Sequence, residues 1–142
     1  MIAVGSDHAG YELKLKLIEH LKSRGYDVKD FGTDSSESCD YPDYAKKTCR
    51  AILNGEAWMG LLVCGTGIGM SMQANRFKGI RAAVVTDEFS AEATRSHNDA
   101  NVLCLGARVL DYEKAEKLLD IFLNTPFSNG ENHIRRIGKL DK

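Results

Sequence analysis

The chain has 142 residues, the length of one ordinary domain, and its 19 basic and 20 acidic side chains leave a formal net charge of −1. A chain without a basic excess is not expected to bind nucleic acid or an anionic membrane surface. No apolar run approaches the ~20 residues of a membrane span, and the direct start with Ile2-Ala3-Val4 leads us to expect no signal peptide. The cysteines lack C-x-x-C spacing, which argues against a metal cluster, and we expect reduced thiols in a cytoplasm.

Apolar strands alternate with amphipathic helical segments along the chain. The predicted strands are Ile2–Gly5, Tyr26–Phe31, Trp58–Val63, Ile80–Thr86 and Asn101–Leu105. The predicted helices are Gly10–Ser23, a segment from Pro42 to Asn54-Gly55, Met70–Phe77, Ser90–Ser96 and Tyr112–Leu123, with a basic tail at Glu131–Lys142. Such alternation indicates a parallel sheet covered on both faces. We predict one α/β domain over residues 1–142, a three-layer α/β/α Rossmann-like sandwich with a five-stranded parallel sheet and a C-terminal helical tail.

The turn 63–69 joins the third predicted strand to a helix. Its glycines, Gly65, Gly67 and Gly69, let the backbone turn sharply and approach a ligand closely, and the free N–H groups of a helix start can bind an anion. The G-x-G-x-G spacing differs from the dinucleotide-binding pattern, and no G-K-[ST] follows as in ATP-binding loops. Cys64 lies at this helix start, where the helix dipole favours a thiolate. The turn is either an anion site with a candidate base or a tight turn that buries a thiol.

Polar side chains also follow the first and fifth predicted strands. Asp7 and His8 come directly after the first strand, and Arg108 lies just past the fifth. Ligands of such folds bind at the carboxyl ends of the strands, where these side chains would meet the glycine turn. His97, before the fifth strand, can move a proton near neutral pH. Each residue also has a simpler interpretation: Asp7 as a helix cap, His97 as a helix C-terminal side chain, and Arg108 as a surface charge.

Seven short motifs follow one another from residue 1 to about residue 137. They are Gly5-Ser6-Asp7-His8-Ala9-Gly10, Asp40-Tyr41-Pro42, Cys64-Gly65-Thr66-Gly67-Ile68-Gly69, Ala74-Asn75, Gly79-Ile80-Arg81-Ala82, His97-Asn98-Asp99-Ala100-Asn101 and Gly106-Ala107-Arg108-Val109. In order and spacing this series resembles the ribose-5-phosphate isomerase B family, which is related to the galactose-6-phosphate isomerase subunits. The resemblance implies reversible isomerisation of ribose 5-phosphate to ribulose 5-phosphate, in the non-oxidative branch of the pentose phosphate pathway, without a metal or redox cofactor.

The resemblance also implies a role for each motif residue. Cys64 matches the family's base, which takes the C2 proton of the sugar and returns one at C1, and His97, with Asp7 nearby, matches its ring-opening group. Thr66 and the N–H groups of the turn would stabilise the cis-enediolate intermediate, as an oxyanion hole does. The phosphate is expected at His8, Arg108, His133 and Arg136, the sugar at Tyr41 and Asn98, and further substrate contacts at Gly65, Gly67, Gly69, Ser71, Asn75 and Asn132.

The tail departs from the family pattern. Family chains carry Gly-Gly-Arg-His where this sequence reads Gly-Glu-Asn-His, so Asn132 replaces an arginine that would bind phosphate, and Glu131 adds a negative charge. Loss of a charge-assisted hydrogen bond costs ~1.5–3 kcal/mol, which the extra Arg135 would offset. His133 and Arg136 can share one helical face, or they belong to a solvated charged tail. The resemblance further implies a homodimer or homotetramer in which both chains contribute to each site.

Three other functions compete with this prediction. A six-carbon aldose 6-phosphate isomerase, such as one acting on allose 6-phosphate, would use the same machinery with a roomier pocket. A non-catalytic phosphate- or nucleotide-binding module would use the same fold without turnover. A thiol-redox enzyme would need a resolving cysteine beside Cys64, for which Cys104 is the candidate.

Overall fold

The computed structural model describes residues 1–142 and contains a five-stranded parallel sheet flanked by helices. Its strands are β1 (Ile2–Ser6), β2 (Val28–Asp30), β3 (Met59–Cys64), β4 (Ala82–Val84) and β5 (Val102–Gly106). Its helices are α1 (Tyr11–Ser23), α2 (Tyr41–Leu53), α3 (Ile68–Ala74), α4 (Glu88–Ser96), α5 (Tyr112–Asn124) and α6 (Glu131–Ile137). The predicted α/β class, the parallel sheet and the helical tail are confirmed. No helix combines the length and the apolar character that a membrane crossing requires.

The order in which the chain adds strands to the sheet changes direction between the central strands β1 and β3. The strand order is β2-β1-β3-β5-β4, and every pairing is parallel. Helices α1, α4 and α5 cover one face, and α2 and α3 cover the other. Strand β1 therefore leads into a helix on one face, while its neighbour β3 leads into a helix on the opposite face. A crevice forms between the carboxyl ends of two such strands, and this is where ligands bind in open α/β sheets.

The central strands are buried on both faces, which explains their near-continuous apolar sequences. In β3, Leu61 and Val63 point into the core beneath α1 and α5, while Leu62 and Cys64 point into the core beneath α2 and α3. Each buried leucine or valine of this kind contributes roughly 1.5–3 kcal/mol. The two cores hold the sheet rigidly, so the strand ends keep fixed positions relative to one another.

The second and fourth strands are shorter than predicted. The predictions were Tyr26–Phe31 and Ile80–Thr86, whereas β2 and β4 each pair with one neighbour over three residues. Both are edge strands with a single neighbour: β2 ends opposite Val4 and β4 opposite Cys104, although β1 continues to Ser6 and β5 to Gly106. At the outer edge of β4 the side chain of Asn75 takes the place of a strand: its amide exchanges hydrogen bonds of 2.8 and 2.9 Å with the backbone of Ala82.

Candidate active site

Cys64 ends β3 and faces the start of α3. Its side chain is buried, and its Sγ accepts a hydrogen bond of 3.1 Å from the main-chain N–H of Gly67. Gly67 precedes α3 and has a φ of 80°, a left-handed conformation that favours glycine. The turn therefore aims a backbone N–H donor at the sulfur.

Tyr41 packs against the same turn because a glycine leaves room for it. A Cβ atom on Gly69 would lie 2.7 Å from the ring atom Cε1 of Tyr41. Tyr41 is the first residue of α2, so this contact joins the start of α2 to the start of α3. Thr66, in the turn between them, accepts a hydrogen bond of 3.2 Å at its Oγ1 from the N–H of Ile68. One aromatic side chain and one hydroxyl thus lie at the turn that follows Cys64.

Asp7 and His8 lie beside this turn, in the loop that follows β1. The N–H of Asp7 donates to the carbonyl of Val63 at 3.2 Å, and the buried carboxylate of Asp7 accepts the N–H of Gly10 at 3.1 Å. Asp7 therefore holds the turn that precedes α1 but is not its cap, because the N-cap residue is Gly10 and no side chain caps the helix. The Nδ1 atom of His8 accepts a hydrogen bond of 3.2 Å from the N–H of Cys39. The loop between β2 and α2 thus reaches the same crevice.

Arg108 reaches the glycine turn from the end of β5. Its N–H donates to the carbonyl of Gly65 at 2.9 Å, and a Cβ on Gly65 would lie 3.4 Å from the guanidinium atom Nη1. No acidic side chain lies within ion-pair distance of this guanidinium. A guanidinium free of carboxylate partners is a suitable binding group for a phosphate. Asp7, His8, Tyr41, the glycine turn and Arg108 are therefore brought together at one edge of the sheet.

Ser71 and Asn75, the two predicted contacts on α3, make bonds within the fold. The hydroxyl of Ser71 donates to the carbonyl of Ile68 at 2.7 Å. The side-chain amide of Asn75 is held by Ala82, as described above. Asn75 follows the last residue of α3 and is two helical turns from the glycine turn. The structure thus gives Asn75 a place at the edge of the sheet rather than beside Cys64.

His97 and Asn98 lie at the opposite edge of the sheet. Helix α4 runs back along the sheet from the end of β4, so His97, at its C-terminus, reaches the amino ends of the strands. The carbonyl of Asn98 accepts a hydrogen bond of 3.1 Å from Nε of Arg81, which directly precedes β4. Strands of five or six residues, at about 3.3 Å per residue, separate the two edges by roughly 15–20 Å. One chain therefore does not bring His97 to its own Cys64.

The tail helix α6 joins His97 at this second edge. The rings of His97 and His133 stack with their centroids 4.5 Å apart and an angle of 12° between their planes. Asn132 accepts a hydrogen bond of 3.0 Å at its Oδ1 from Nη1 of Arg135. Arg136 is exposed on the same helix. The predicted site residues thus fall into two groups, one at each edge of the sheet.

The family model described as Ribose/Galactose Isomerase matches residues 2–140. The chain belongs to this family. Among curated members, it is 46% identical to ribose-5-phosphate isomerase B of Escherichia coli strain K12, over 94% of this chain and 90% of that protein. It is 43% identical to a probable ribose-5-phosphate isomerase B of Mycoplasma pneumoniae, over 98% of this chain and 91% of that one.

Solved structures of ribose-5-phosphate isomerases B have the same fold. The enzyme of Thermotoga maritima superposes with a TM-score of 0.96 at 52% identity, covering 99% of this chain and 96% of that one. The type B enzyme of Trypanosoma brucei superposes with a TM-score of 0.95 at 40% identity, covering 99% and 95%. The resemblance that the motifs indicated is therefore confirmed across nearly the whole chain.

Three residues near the candidate site lie outside the sequence motifs: Lys14, Asp30 and Cys39. The buried Lys14 forms an ion pair of 2.8 Å with the partly exposed Asp30, and Cys39 contacts His8. Lys14 lies three positions before Leu17 and seven before Leu21, on the apolar face of α1, and a lysine at such a position signals a buried charge. Cys39 lies in a serine-rich loop, and nothing in its local sequence indicates the contact.

One group of potential metal ligands lies away from both edges. His20 on α1 faces two carboxylates of α5, with Nε2 at 2.7 Å from Asp120 and Nδ1 at 3.3 Å from Glu116. Each ring nitrogen faces its own carboxylate, and Arg24 approaches Asp120 at 3.6 Å. This arrangement is a polar network that joins α1 to α5.

Proposed function

We propose that this isomerase interconverts ribose 5-phosphate and ribulose 5-phosphate through a cis-enediolate, the activity that the names of its relatives state. The observation that carries the proposal is the position of Cys64, whose sulfur receives a backbone N–H at the start of α3. We place the reaction in the non-oxidative branch of the pentose phosphate pathway and in the cytoplasm. The four cysteines are unpaired, as a reducing compartment keeps them. We take residues 1–142 to form one isomerase domain, because all the strands belong to one sheet.

The proposed chemistry moves protons and leaves the sugar's overall oxidation state unchanged. The Cys64 thiolate removes the proton from C2, and the electron pair of that C–H bond moves into the C1–C2 double bond of the enediolate. The carbonyl oxygen at C1 takes up negative charge, which Thr66 and the N–H groups of the turn stabilise. The Cys64 thiol then returns the proton to C1, the proton of the C2 hydroxyl passes to the oxygen at C1, and the C2 oxygen becomes the new carbonyl. We propose that neither a metal nor a redox cofactor takes part.

We propose that each active site is shared between two chains. The support is the roughly 15–20 Å between Cys64 and His97 within one chain. A two-fold axis would place the His97 edge of one chain against the Cys64 edge of its partner. Beside the glycine turn, Ile68 and Met72 lie one helical turn apart on α3 and are 49% and 60% exposed, which suits an interface between copies. The assembly would be a homodimer, or a homotetramer built from it.

In this arrangement the phosphate is held by both chains. One chain supplies His8 and Arg108, and its partner supplies the exposed face of α6 with His133 and Arg136. Arg135 is tied to Asn132 and adds a guanidinium on the helix where the family arginine is missing. We propose that Arg135 offsets part of that loss. His97 of the partner would open the sugar ring, with Asn98 contacting the sugar.

The thiol-redox alternative lacks a suitable second thiol. In the pairing of β3 with β5, Cys104 lies opposite Leu62, and Cys64 lies opposite Gly106. The two cysteines are therefore two positions apart in register, as diagonal neighbours on adjacent strands. Diagonal positions on adjacent strands lie about 7–8 Å apart, whereas most disulfides need Cα atoms within about 6.8 Å. Burial also raises the pKa of the Cys104 thiol well above its ordinary value. A resolving thiolate is therefore not provided.

The proposal is tested by turnover. Purified protein with EDTA is given ribose 5-phosphate, and the appearance of ribulose 5-phosphate is followed for the wild type, Cys64→Ala and Cys49→Ala. Cys49 is a buried thiol in the same core and serves as the matched control. We expect Cys64→Ala to lose about 10²–10⁴-fold in kcat, as for removal of a general base, and Cys49→Ala to keep wild-type turnover.

Other outcomes identify the alternatives. Turnover of allose 6-phosphate without turnover of ribose 5-phosphate would indicate the six-carbon isomerase. Binding of both sugar phosphates by calorimetry, with no turnover of either, would indicate a non-catalytic module. Turnover of ribose 5-phosphate that survives Cys64→Ala would keep the reaction and remove Cys64 as its base.

A further inference from the structure

The side chain of Lys14 is fully buried, although lysine is seldom buried in proteins. Its ammonium pairs with Asp30 at 2.8 Å, donates to the carbonyl of Thr33, and lies 5.3 Å from the centre of the Tyr11 ring. Withdrawing an ammonium from water is costly unless partners satisfy it. None of the proposed chemistry uses this charge, so its burial calls for another role.

The partners of Lys14 hold the end of β2 against the end of β1. The carboxylate oxygen of Asp30 that pairs with Lys14 also accepts the N–H of Gly32 at 2.9 Å. The N–H of Thr33 donates to the carbonyl of Ser6, and the N–H of Ser6 donates to the carbonyl of Gly32, both at 2.7 Å. Ser6 directly precedes Asp7. The buried ammonium therefore fixes the first residues of the loop 31–40 beside the loop that follows β1 and carries Asp7 and His8.

The same loop touches His8 at its other end. Residues 34–38 make a single hydrogen bond, from the N–H of Glu37 to Oγ of Ser35 at 3.3 Å, which stays within the loop. At Cys39 the loop returns to the crevice, where its N–H donates to Nδ1 of His8 at 3.2 Å and its Sγ lies 3.9 Å from the same nitrogen. Hydrogen bonds to the rest of the fold thus hold the loop at its first residues, Phe31 to Thr33, and again at Cys39.

We infer that Lys14 is a positioning residue that sets the tautomer of His8 through this loop. A main-chain N–H can only donate, so Nδ1 of His8 must be an acceptor and the ring hydrogen stays on Nε2. The ring then offers an N–H donor from Nε2. The inference rests on the proposed function, in which His8 binds the phosphate, and it adds that the buried ammonium keeps this donor directed at the ligand.

The test compares two lysines of one helix. Lys14→Met removes the buried ammonium, and Lys16→Met makes the same change on the exposed face of α1. The ring nitrogens of His8 are followed by ¹⁵N NMR in the free protein, with His8→Gln to assign them, and kcat and KM are measured for ribose 5-phosphate. For Lys14→Met we expect a mixture of His8 tautomers and a KM raised about tenfold, as for a lost charge-assisted hydrogen bond, with kcat within about twofold of the wild type. Lys16→Met should match the wild type in every respect.

A second variant keeps the test decisive if Lys14→Met fails to fold. Asp30→Asn, at a carboxylate that is 37% exposed, removes the charge that pairs with Lys14 and retains an acceptor for Gly32. It should shift the His8 signals in the same direction. A folded Lys14→Met or Asp30→Asn protein that keeps a single Nε2–H tautomer would overturn the inference, even if its stability fell. A wild type without turnover would refute the proposed function, whereas the NMR comparison would still decide the role of Lys14.

Discussion

Mixing two inactive variants should restore activity if each active site draws on two chains. Cys64 lies at the carboxyl ends of the strands and His97 at the amino ends, roughly 15–20 Å apart in one chain. Cys64→Ala and His97→Ala therefore damage opposite halves of the shared site. In a dimer that contains one chain of each variant, one site carries both changes and the other site carries neither.

The expected recovery of activity follows from the fraction of active sites that are intact in the mixture. When equal amounts of the two variants are denatured together and refolded, random pairing makes about half of the dimers mixed, and each mixed dimer has one intact site. About a quarter of all sites are then intact, so the mixture should recover about 25% of wild-type kcat per chain. Each variant refolded alone should remain inactive. The assay is turnover of ribose 5-phosphate before and after joint refolding.

A matched mixture shows whether recovery has this cause. Arg108 lies at the same edge as Cys64, against Gly65. In a mixed dimer of Cys64→Ala and Arg108→Ala, each site carries one change, so no activity should return. Absence of recovery with His97→Ala, in a sample whose mass confirms mixed dimers, would refute the shared site. Recovery with Arg108→Ala would refute the assignment of Arg108 to the Cys64 half.

Three further outcomes are expected. Burial raises the pKa of the Cys49 thiol from 9.0 to about 12. Between these two pH values the thiol is ionised in the unfolded state and protonated in the folded state, so the unfolded state binds fewer protons. The free energy of unfolding therefore falls as the pH rises above 9.0. This contribution to the slope is at most about 1.4 kcal/mol per pH unit. Urea denaturation should show that Cys49→Ala makes the slope shallower by this contribution, while the buried Cys104 keeps its own; an unchanged slope would contradict the cause. Gly67→Ala should lose about 1–2 kcal/mol of stability, because φ is 80° there, and should also lower kcat by shifting the N–H that contacts Cys64; wild-type values of both would contradict this. Asn132→Arg should lower KM about tenfold or more if the family arginine binds phosphate, whereas an unchanged KM would indicate that Arg135 already fills that role.

Much of the fold follows from local sequence patterns. The buried strands read as apolar runs because both of their faces meet helices, and the helices show their apolar faces at helical spacing. The turn at Cys64 is equally local, since glycines permit the left-handed residue that aims an N–H at the sulfur. Strand bounds were predicted well in the centre of the sheet and too long at its edges. An edge strand has only one neighbour to pair with, and which strands lie at an edge depends on strand order rather than on local composition.

The motifs identified the candidate site residues, but only the tertiary structure showed that these residues form two groups at opposite edges of the sheet. The amino-acid sequence determined the residue types, the helix start beside Cys64 and the family, because these depend on neighbouring positions along the chain. Only the fold showed that His97 stacks on His133 at the edge opposite Cys64, since this depends on the direction in which α4 crosses the sheet. The contact of Cys39 with His8, 31 positions apart, likewise forms only because β1 and β2 lie side by side.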